Sequence, residues 1–485
     1  MKENSAKPTQ MDLVVIGSGV SGLASAVIAA VGGLNVMLFE KQRSMGGSSN
    51  FFEGIFAVES QMQQERYIDY TRDQAFKNIM EYSHWRANAR LVRAIVDESA
   101  GTIGWLQKEG VVFTDATINM PGAPRTYHVV KGHGEAVIKV LATKAKQLGV
   151  IIRLGIPAKK VLRDSGPISG ITAEENGRDI EIPTRAAFIA SGGYANNKEW
   201  IKKYTGFDLG VNLFPLGNVD KMGDGIRMAW EAGAAKEGMG TLEVLRIAPF
   251  GPEYPMKNHI EYVAIQPDLW VNPQGERFCD EGIAFFDTSV GNANARQPGG
   301  YSFSIFDDAI KDNVIEDGTT RGLGIDVPPG SLAVNFEKDL EFLLKGGGKD
   351  VFVADSIEEL AGKIAVKPDI LRGTIEEYNL FCEKGHDDLF AKDPKYLRPL
   401  RGPKFYAVRA RTIFLGSMGG IKINHKMEVV DKKDNVIPGL YAGGMDAGGM
   451  WGDSYCMNPS SGLSGGFALN SGIIAGKNIL KYVRG

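Results

Sequence analysis

The sequence predicts an α/β chain organised around a Rossmann-like, nucleotide-binding sheet, and three observations carry that prediction. Near the N terminus a short apolar strand runs into GSGVSG and an alanine-rich helix, followed by a second strand ending in an acid. Glycine accounts for 61 of 485 residues, nearly twice the roughly 7% of average proteins, as expected where backbone turns tightly or approaches a ligand. A second glycine-rich region, residues 416–476, lies at the far end of the chain.

The N-terminal elements each have a physical task. Leu13 to Ile16 reads as a buried strand, and Gly17-Ser18-Gly19-Val20-Ser21-Gly22 is a GxGxxG turn opening a helix. Gly17 makes the tight turn, Gly19 lets backbone approach a pyrophosphate, and Gly22 allows close helix–strand packing. The helix N terminus supplies amide donors and a favourable dipole. The second strand, Asn35 to Phe39, ends at Glu40, placed to accept hydrogen bonds from a ribose diol.

The next segment, KQRSMGGSSNFFEG from Lys41 to Gly54, selects the dinucleotide. Gly46, Gly47, Ser48 and Ser49 form a loop beside the pyrophosphate, and the chain then runs past a ring system. That order suits FAD, because a nicotinamide enzyme continues directly into a crossover helix. Between Gly149 and Gly193 the segments VIIRLG, AKKVLR (containing Ala158), ISGITAE and DIEIPTRAAFIASGG read as a β-meander. It ends on Ala190-Ser191-Gly192-Gly193, a second small-residue approach to the nucleotide. Gly223-Asp224-Gly225 then opens a helix, IRMAWEAGAA, whose N terminus faces the phosphates.

At the far end, PGLYAGG reads as a turn into a strand finishing at Gly444, and Pro459-Ser460-Ser461 as a helix start with serine N-caps. The helix that follows carries Gly462, Leu463 and then Gly465, Gly466, Gly472 and Gly476. Helical glycines cost about 1 kcal/mol each relative to alanine, so their density implies something lying closely against the helix. Its N terminus can stabilise negative charge on the N1–C2=O edge of a reduced flavin.

Composition excludes other classes. The net charge is −3 and no Lys/Arg block gives a nucleic-acid footprint. Cys279, Cys382 and Cys456 are far apart, and six scattered histidines form no HExxH, so no metal or cluster is expected. Residues 13–39 carry no charge, but five glycines in a phosphate-binding order interrupt them. The prefix MKENSAKPTQ is not strongly basic. Neither a membrane span nor a signal peptide is expected, and the protein is read as cytoplasmic.

Taken with GDGIRMAWEAGA, GERFCDE, SMGG, PGLYAGG and the C-terminal helix, these motifs make the chain resemble the flavoprotein superfamily of fumarate reductases and succinate dehydrogenases, which includes the 3-ketosteroid dehydrogenases. The resemblance implies a two-part FAD-binding, Rossmann-like domain of the glutathione-reductase type, with an inserted α+β capping domain. The parts would be residues 1–258 and 410–485, with the cap at 259–409. A histidine attaches FAD in covalent members; Ser48 occupies that position here, implying non-covalent FAD.

Three further departures concern the substrate. Phe285 falls where fumarate reductases place an arginine proton donor, and Leu415-Gly416-Ser417 replace a histidine ahead of Met-Gly-Gly. Between Met450 and Ala475 there is no Lys, Arg or His to hold a carboxylate. A dicarboxylate would lose its partners, and an unpaired charge in a closed site is expensive. GERFCDE is then a structural turn, with Arg277 and Glu281 holding the cap.

The ketosteroid branch supplies the alternative chemistry, in which a tyrosine and a backbone N–H polarise a ketone. The resemblance points to Tyr455, with Gly462 as the N–H source, and to Tyr127 and His128 as secondary candidates. Trp451, Phe285, Phe414 and Gly416 would shape an apolar pocket, and Arg411 and Arg296 are the cap-side cations. The expected activity is FAD-dependent CH–CH oxidoreduction: desaturation or reduction α,β to a carbonyl in a mostly apolar, cyclic or aromatic small molecule, by hydride transfer at flavin N5. A reductase of an unsaturated acid, and a flavoprotein subunit working with a separate electron carrier, are the alternatives; an external electron donor or acceptor fits each.

Overall fold

The computed structural model describes residues 10–118, 120–457 and 459–485. Residues 1–9, most of the prefix weighed above as a leader, lie outside them, as does Asn458 within GDSYCMNPSSG. The chain forms two compact units. One comprises Met1–Gly206, Gly217–Glu243 and Gly416–Gly485, the other Phe207–Leu216 and Val244–Leu415. Among the described residues no helix is long and apolar enough to cross a membrane.

In the first unit an eight-stranded sheet runs in the order Glu428–Val430, Val436–Ala442, Arg178–Ile189, Met11–Ile16, Val36–Glu40, Ile151–Leu154. The central strands pair in parallel, Leu13 opposite both Val36 and Ala186, and Leu13, Val14 and Val15 are fully buried. Such an apolar run is what a strand covered on both faces requires. The antiparallel extension consists of Ala158–Leu162, Gly170–Glu175 and Arg178–Ile189. VIIRLG, expected in that meander, belongs instead to the parallel sheet, where Met37 pairs with Ile151. The helix His133–Gln147 precedes it and provides the crossover that parallel pairing needs.

Glycine lets the helices of this unit approach one another and the sheet. A Cβ on Gly22 would lie 2.0 Å from the carbonyl oxygen of Gly17, and one on Gly472 would lie 2.2 Å from that of Ser21. The helix Val20–Val31 therefore packs backbone to backbone against the C-terminal helix Leu463–Arg484. The latter begins later than Pro459-Ser460-Ser461 suggested. Its N-cap is Gly462, at φ +83° and without a side-chain cap, because that left-handed turn favours glycine over serine. The helix opened by Gly223 spans Asp224–Glu231 and stops short of AGAA, with Gly233 at φ +100°.

The second unit is built on a six-stranded sheet. Its long strand, Phe405–Ser417, pairs with Phe214–Pro215, Leu242–Ile247, Tyr301–Asp307 and Val351–Ala354, and Leu269–Val271 lies beyond Tyr301–Asp307. The helices Ile357–Lys363 and Pro368–Lys384 correspond to IEELAGKIAV and ILRGTIEEYNLFCEKG. GERFCDE opens on a tight turn, with Gly275 at φ +90°, and leads into the 3₁₀ turn Glu281–Phe285. Arg277 is buried and donates to Glu281 at 2.7 Å and to Asp387 at 2.8 Å. Lys392 sits 3.3 Å from Glu281 and donates to the Asp268 carbonyl. Arg277 and Glu281 of GERFCDE thus belong to a paired interior network, while Glu276 is exposed and Asp280 accepts from the Gly282 amide, and the apolar residues after it continue into the same unit's packing.

Glu261, in the helix His259–Ala264, accepts from the Lys257 amide at 2.8 Å, yet burial lifts its pKa to about 7.

Two outcomes follow. Gly472→Ala forces the two helices apart and costs about 3 kcal/mol, read as a lower apparent Tm and lost flavin retention. Gly104→Ala, within the helix Ala89–Glu109 with open space at its Cβ, serves as the control and raises Tm slightly. Glu261, whose folded pKa lies above the unfolded value, contributes stability that is full below about pH 4.5 and is lost as pH rises through about 7. Glu261→Gln should remove that dependence, worth about 3 kcal/mol, and melt above wild type at pH 8 in paired thermal scans.

Candidate active site

The nucleotide cradle is assembled wholly within the first unit. Glu40 accepts from the Ser18 amide at 3.0 Å, the Ser18 hydroxyl at 2.7 Å and the Gln42 amide at 2.9 Å, which fixes its carboxylate at the strand end. Ser18 in turn accepts from the Gly46 amide, and Ser49 from the Val20 amide, so the GGSS loop is pinned to the GxGxxG turn. A Cβ on Gly17 would lie 2.2 Å from the Ala190 carbonyl oxygen, so that turn and ASGG must touch through backbone. Lys41 pairs with Asp224 at 2.9 Å. A cavity of about 290 Å³ opens among Gly17, Glu40, Lys41, Ala158, Ser191 and Asp224.

Ser191, Gly192 and Gly193 gather around one carboxylate. Asp446 is buried and accepts from the Ser191 hydroxyl and the Gly192 and Gly193 amides at 2.9–3.1 Å. Gly444 donates its amide to Ser471 of the C-terminal helix at 2.9 Å. Gly47 has open space at its Cβ position, and a Cβ on Gly54 would strike the Tyr127 ring.

These residues fit FAD. The helix Val20–Val31 and the C-terminal helix both begin at glycine, without a side-chain cap and without an acid in the first turn. Helix starts of this kind, whose N-cap residue has no side chain to offer, suit anionic or carbonyl oxygens. Beside the second of them the Ser461 hydroxyl is buried without a hydrogen-bond partner among the described residues, and Leu463 is buried.

The sequence did not single out Lys221. Its Nζ donates to the Ser48 hydroxyl at 2.7 Å, and among the described residues it forms no ion pair. Burial lowers its pKa to about 8, against the attraction of Asp446 and Glu40. A cation so placed lacks an anion, and the diphosphate of a bound dinucleotide would supply one. Ser48 itself is spent on Lys221 and the Gly217 carbonyl.

The residues expected to act on substrate separate into two sets. Tyr455, Tyr127, Trp451 and Gly462 belong to the first unit. The Trp451 and Tyr455 rings lie 5.0 Å apart, with Phe467 5.8 Å from Trp451, and the indole N–H of Trp451 is buried without an acceptor among the described residues. A Cβ on Gly462 would lie 2.8 Å from the Tyr127 ring. Tyr455 donates to Glu243, a buried carboxylate that nothing in the local sequence marks. Burial, and then the charge of Glu243, hold the Tyr455 pKa well above 10. His128 is a neutral structural group: Nδ1 lies 3.1 Å from the Thr126 carbonyl and Nε2 2.7 Å from the Ser60 hydroxyl, and burial lowers its pKa to about 4.

Phe285, Phe414, Arg411 and Arg296 belong to the second unit. Phe285 packs against Tyr396 at 5.4 Å, and Phe414 is fully buried. Arg411 donates twice to Asp350 at 2.9 and 3.0 Å, so its charge is answered within the unit, and Arg296 is exposed. Gly416 is buried, and a Cβ there would meet only the Met445 sulfur, at 3.9 Å.

Residues 12–462 match the FAD binding domain family. The chain belongs to that family. It is an FAD-binding oxidoreductase, and the relatives it resembles act on C=C bonds. It is 35% identical to a vinyl phenol reductase of Lactiplantibacillus plantarum, covering 98% of both chains. It is 27% identical to an NADH:fumarate oxidoreductase of Klebsiella pneumoniae, where it spans 49% of that longer protein. Among solved structures the fold is shared with a flavocytochrome c3 fumarate reductase (TM-score 0.74, 23% identity, 99% and 80% covered). It is also shared with a 3-ketosteroid Δ1-dehydrogenase of Sterolibacterium denitrificans (TM-score 0.78, 18% identity, 97% and 99% covered).

Lys221→Gln should weaken FAD binding about tenfold while leaving riboflavin binding unchanged, in fluorescence titrations of the apoprotein. The wild-type affinity for FAD should fall more steeply with salt than that of the variant. Equal losses for FAD and riboflavin would place the lysine away from the diphosphate.

Proposed function

We propose that this family member reduces a carbon–carbon double bond in a mostly apolar, cyclic or aromatic-bearing small molecule, with FAD held non-covalently. The observation that carries this reading is the aromatic pair Trp451 and Tyr455, buried in a segment without a single Lys, Arg or His. Phe285 and Gly416 extend the same apolar character to two positions where the fumarate-reductase resemblance implies charge. The name of the 35%-identical relative adds a substrate type, an alkene on a phenol ring, and widens the expected activating group from a carbonyl to a conjugated phenol.

Bound FAD supplies hydride transfer at its N5. The chain's own part is to exclude water, orient the alkene against aromatic surfaces and hold a proton at Tyr455 Oη. Because burial and Glu243 disfavour the tyrosinate, Tyr455 rests protonated, which suits a donor to a reduced product better than a base for desaturation. The absence of haem and cluster motifs supports a separate electron donor.

Anaerobic stopped-flow tests the reading. The reduced protein should be reoxidised rapidly by cyclic enones or 4-vinylphenol and slowly by fumarate. Fast reoxidation by fumarate alone would sink it. Tyr455→Phe should keep its FAD and lose about 10²- to 10⁴-fold in the rate of reoxidation. An unchanged rate would remove Tyr455 from the chemistry.

A further inference from the structure

Ahead of the helix Asp224–Glu231 the chain runs through residues 217–223 as neither helix nor strand, wholly within the first unit. Asp220 and Met222 of this segment line the same cavity of about 290 Å³ as Gly17, Glu40 and Ser191. The segment is therefore part of the nucleotide cavity's wall, and its attachments on two sides differ in kind.

On one side the attachments are uncharged and reach the segment's backbone. Asn196 accepts from the Lys221 amide through Oδ1 and donates its own amide to the Lys221 carbonyl, both at 2.9 Å. Asn197 donates to the Met222 carbonyl at 2.9 Å, and the Gly223 amide to the Gly193 carbonyl at 3.1 Å. On the other side, Lys41 Nζ lies 3.0 Å from the Asp220 carboxylate and also donates to the Asp220 carbonyl, and Gln42 donates to the carboxylate at 3.2 Å. The Asp220 side chain is 51% exposed, and an ion pair so open to water contributes little.

Two further features favour movement at the weaker side. Lys41 is also paired with Asp224 at 2.9 Å, so releasing Asp220 strands no charge on the lysine. Gly217 at φ +66° and Gly223 at φ +80° bracket the segment, and residues of this kind absorb backbone rotation at a hinge. Ser48 bonds the Gly217 carbonyl where the segment begins, and accepts from Lys221 Nζ.

We propose that residues 217–223 form a strap over the nucleotide cavity, hinged on Asn196 and Asn197 and latched by Asp220 to Lys41 and Gln42, whose opening admits and releases FAD. The inference rests on the proposed non-covalent FAD and adds to it the way the cofactor enters. Because Lys221 lies on the strap, the movement that opens the cavity also withdraws the cation offered to the diphosphate. Shutting the cavity and binding the anion are then one event.

The test follows FAD exchange by the full chain, not turnover. Release is read from flavin fluorescence after dilution of the holoenzyme, and association from its quenching when FAD meets apoprotein. Asp220→Asn keeps a residue type suited to φ +52° while removing the latch charge. It should raise both rates about three- to fivefold and leave Kd within about twofold, because the latch is lost with and without cofactor. Faster release with unchanged association would make Asp220 a contact of bound FAD, and two unchanged rates would leave no latch. Either result overturns the proposal. Glu174→Gln breaks the exposed pair with Lys159, another residue lining the cavity, and should change neither rate. An equal acceleration there would trace the effect to charge alone and overturn the strap.

Brief tryptic digestion reads the strap independently of cofactor release. Cleavage after Lys221 needs its side chain to leave Ser48, so it tracks the open population. It should run about three- to fivefold faster in Asp220→Asn holoenzyme than in wild type, with cleavage at other sites unchanged. Equal cleavage in the two proteins overturns the proposal. If acid-precipitated protein retains its flavin, the non-covalent reading fails, and cleavage after Lys221 still decides whether Asp220 latches the strap.

Discussion

The contact on which the first unit depends is the backbone-to-backbone approach of two helices from opposite ends of the chain. Gly472 leaves no room for a side chain against Ser21, and Gly476 allows the same closeness at Ser25 and Ile28. The Ser21 and Ser471 hydroxyls lie 3.3 Å apart at this seam, and Ser471 also accepts from Gly444. One interface therefore sets both helix starts, which on the proposed reading would serve a diphosphate and a flavin edge. A larger side chain anywhere along it would displace two binding elements together. This explains why glycine persists in a helix interior despite its cost of about 1 kcal/mol per residue.

Charge is handled differently in the two units. The second unit buries Arg277, Lys392, Glu281, Asp268 and Asp387 as a mutually bonded network, where each ion's desolvation is offset by several partners. Among the described residues, the first unit leaves Lys221 without an ion pair, and two of its helices begin at glycine without a side-chain cap at the N-cap position. Paired charges hold a fold and unpaired ones await a ligand. Arg411 is doubly bonded to Asp350, whereas Lys221 forms no ion pair among the described residues.

The cofactor half of the architecture was legible because its constraints are local. A strand, a GxGxxG turn, a helix and an acid must follow one another within thirty residues, and each leaves a residue-type signature. Where the reading slipped, the deciding factor was nonlocal or conformational. VIIRLG has the pattern of any short strand, and only the crossover helix before it assigns it to the parallel sheet. The serines before Gly462 are good caps in the abstract, but the chain enters that helix through a left-handed residue. Lys221 and Glu243 carry no motif. Their significance comes from what surrounds them after folding, a serine hydroxyl in one case and a buried tyrosine in the other.

The substrate side was legible chiefly through departures from the family pattern, and those departures have a physical consequence. A site that clamps a dicarboxylate with cations already holds strong electrophiles and a charged acid in place. Replacing those positions by Phe285 and Gly416, with no cation between 450 and 475, removes both at once. On the proposed reading the proton source is a group that is neutral at rest, since an uncompensated ion in apolar surroundings costs several kcal/mol. A buried tyrosine satisfies that condition, and Tyr455 satisfies it more firmly than most because Glu243 opposes its ionisation. On the proposed reading, apolar surroundings and a proton-holding phenol are a single adaptation. Once the site gives up its clamps, a neutral acid is the one form of proton donor it can keep without rebuilding the charge it discarded.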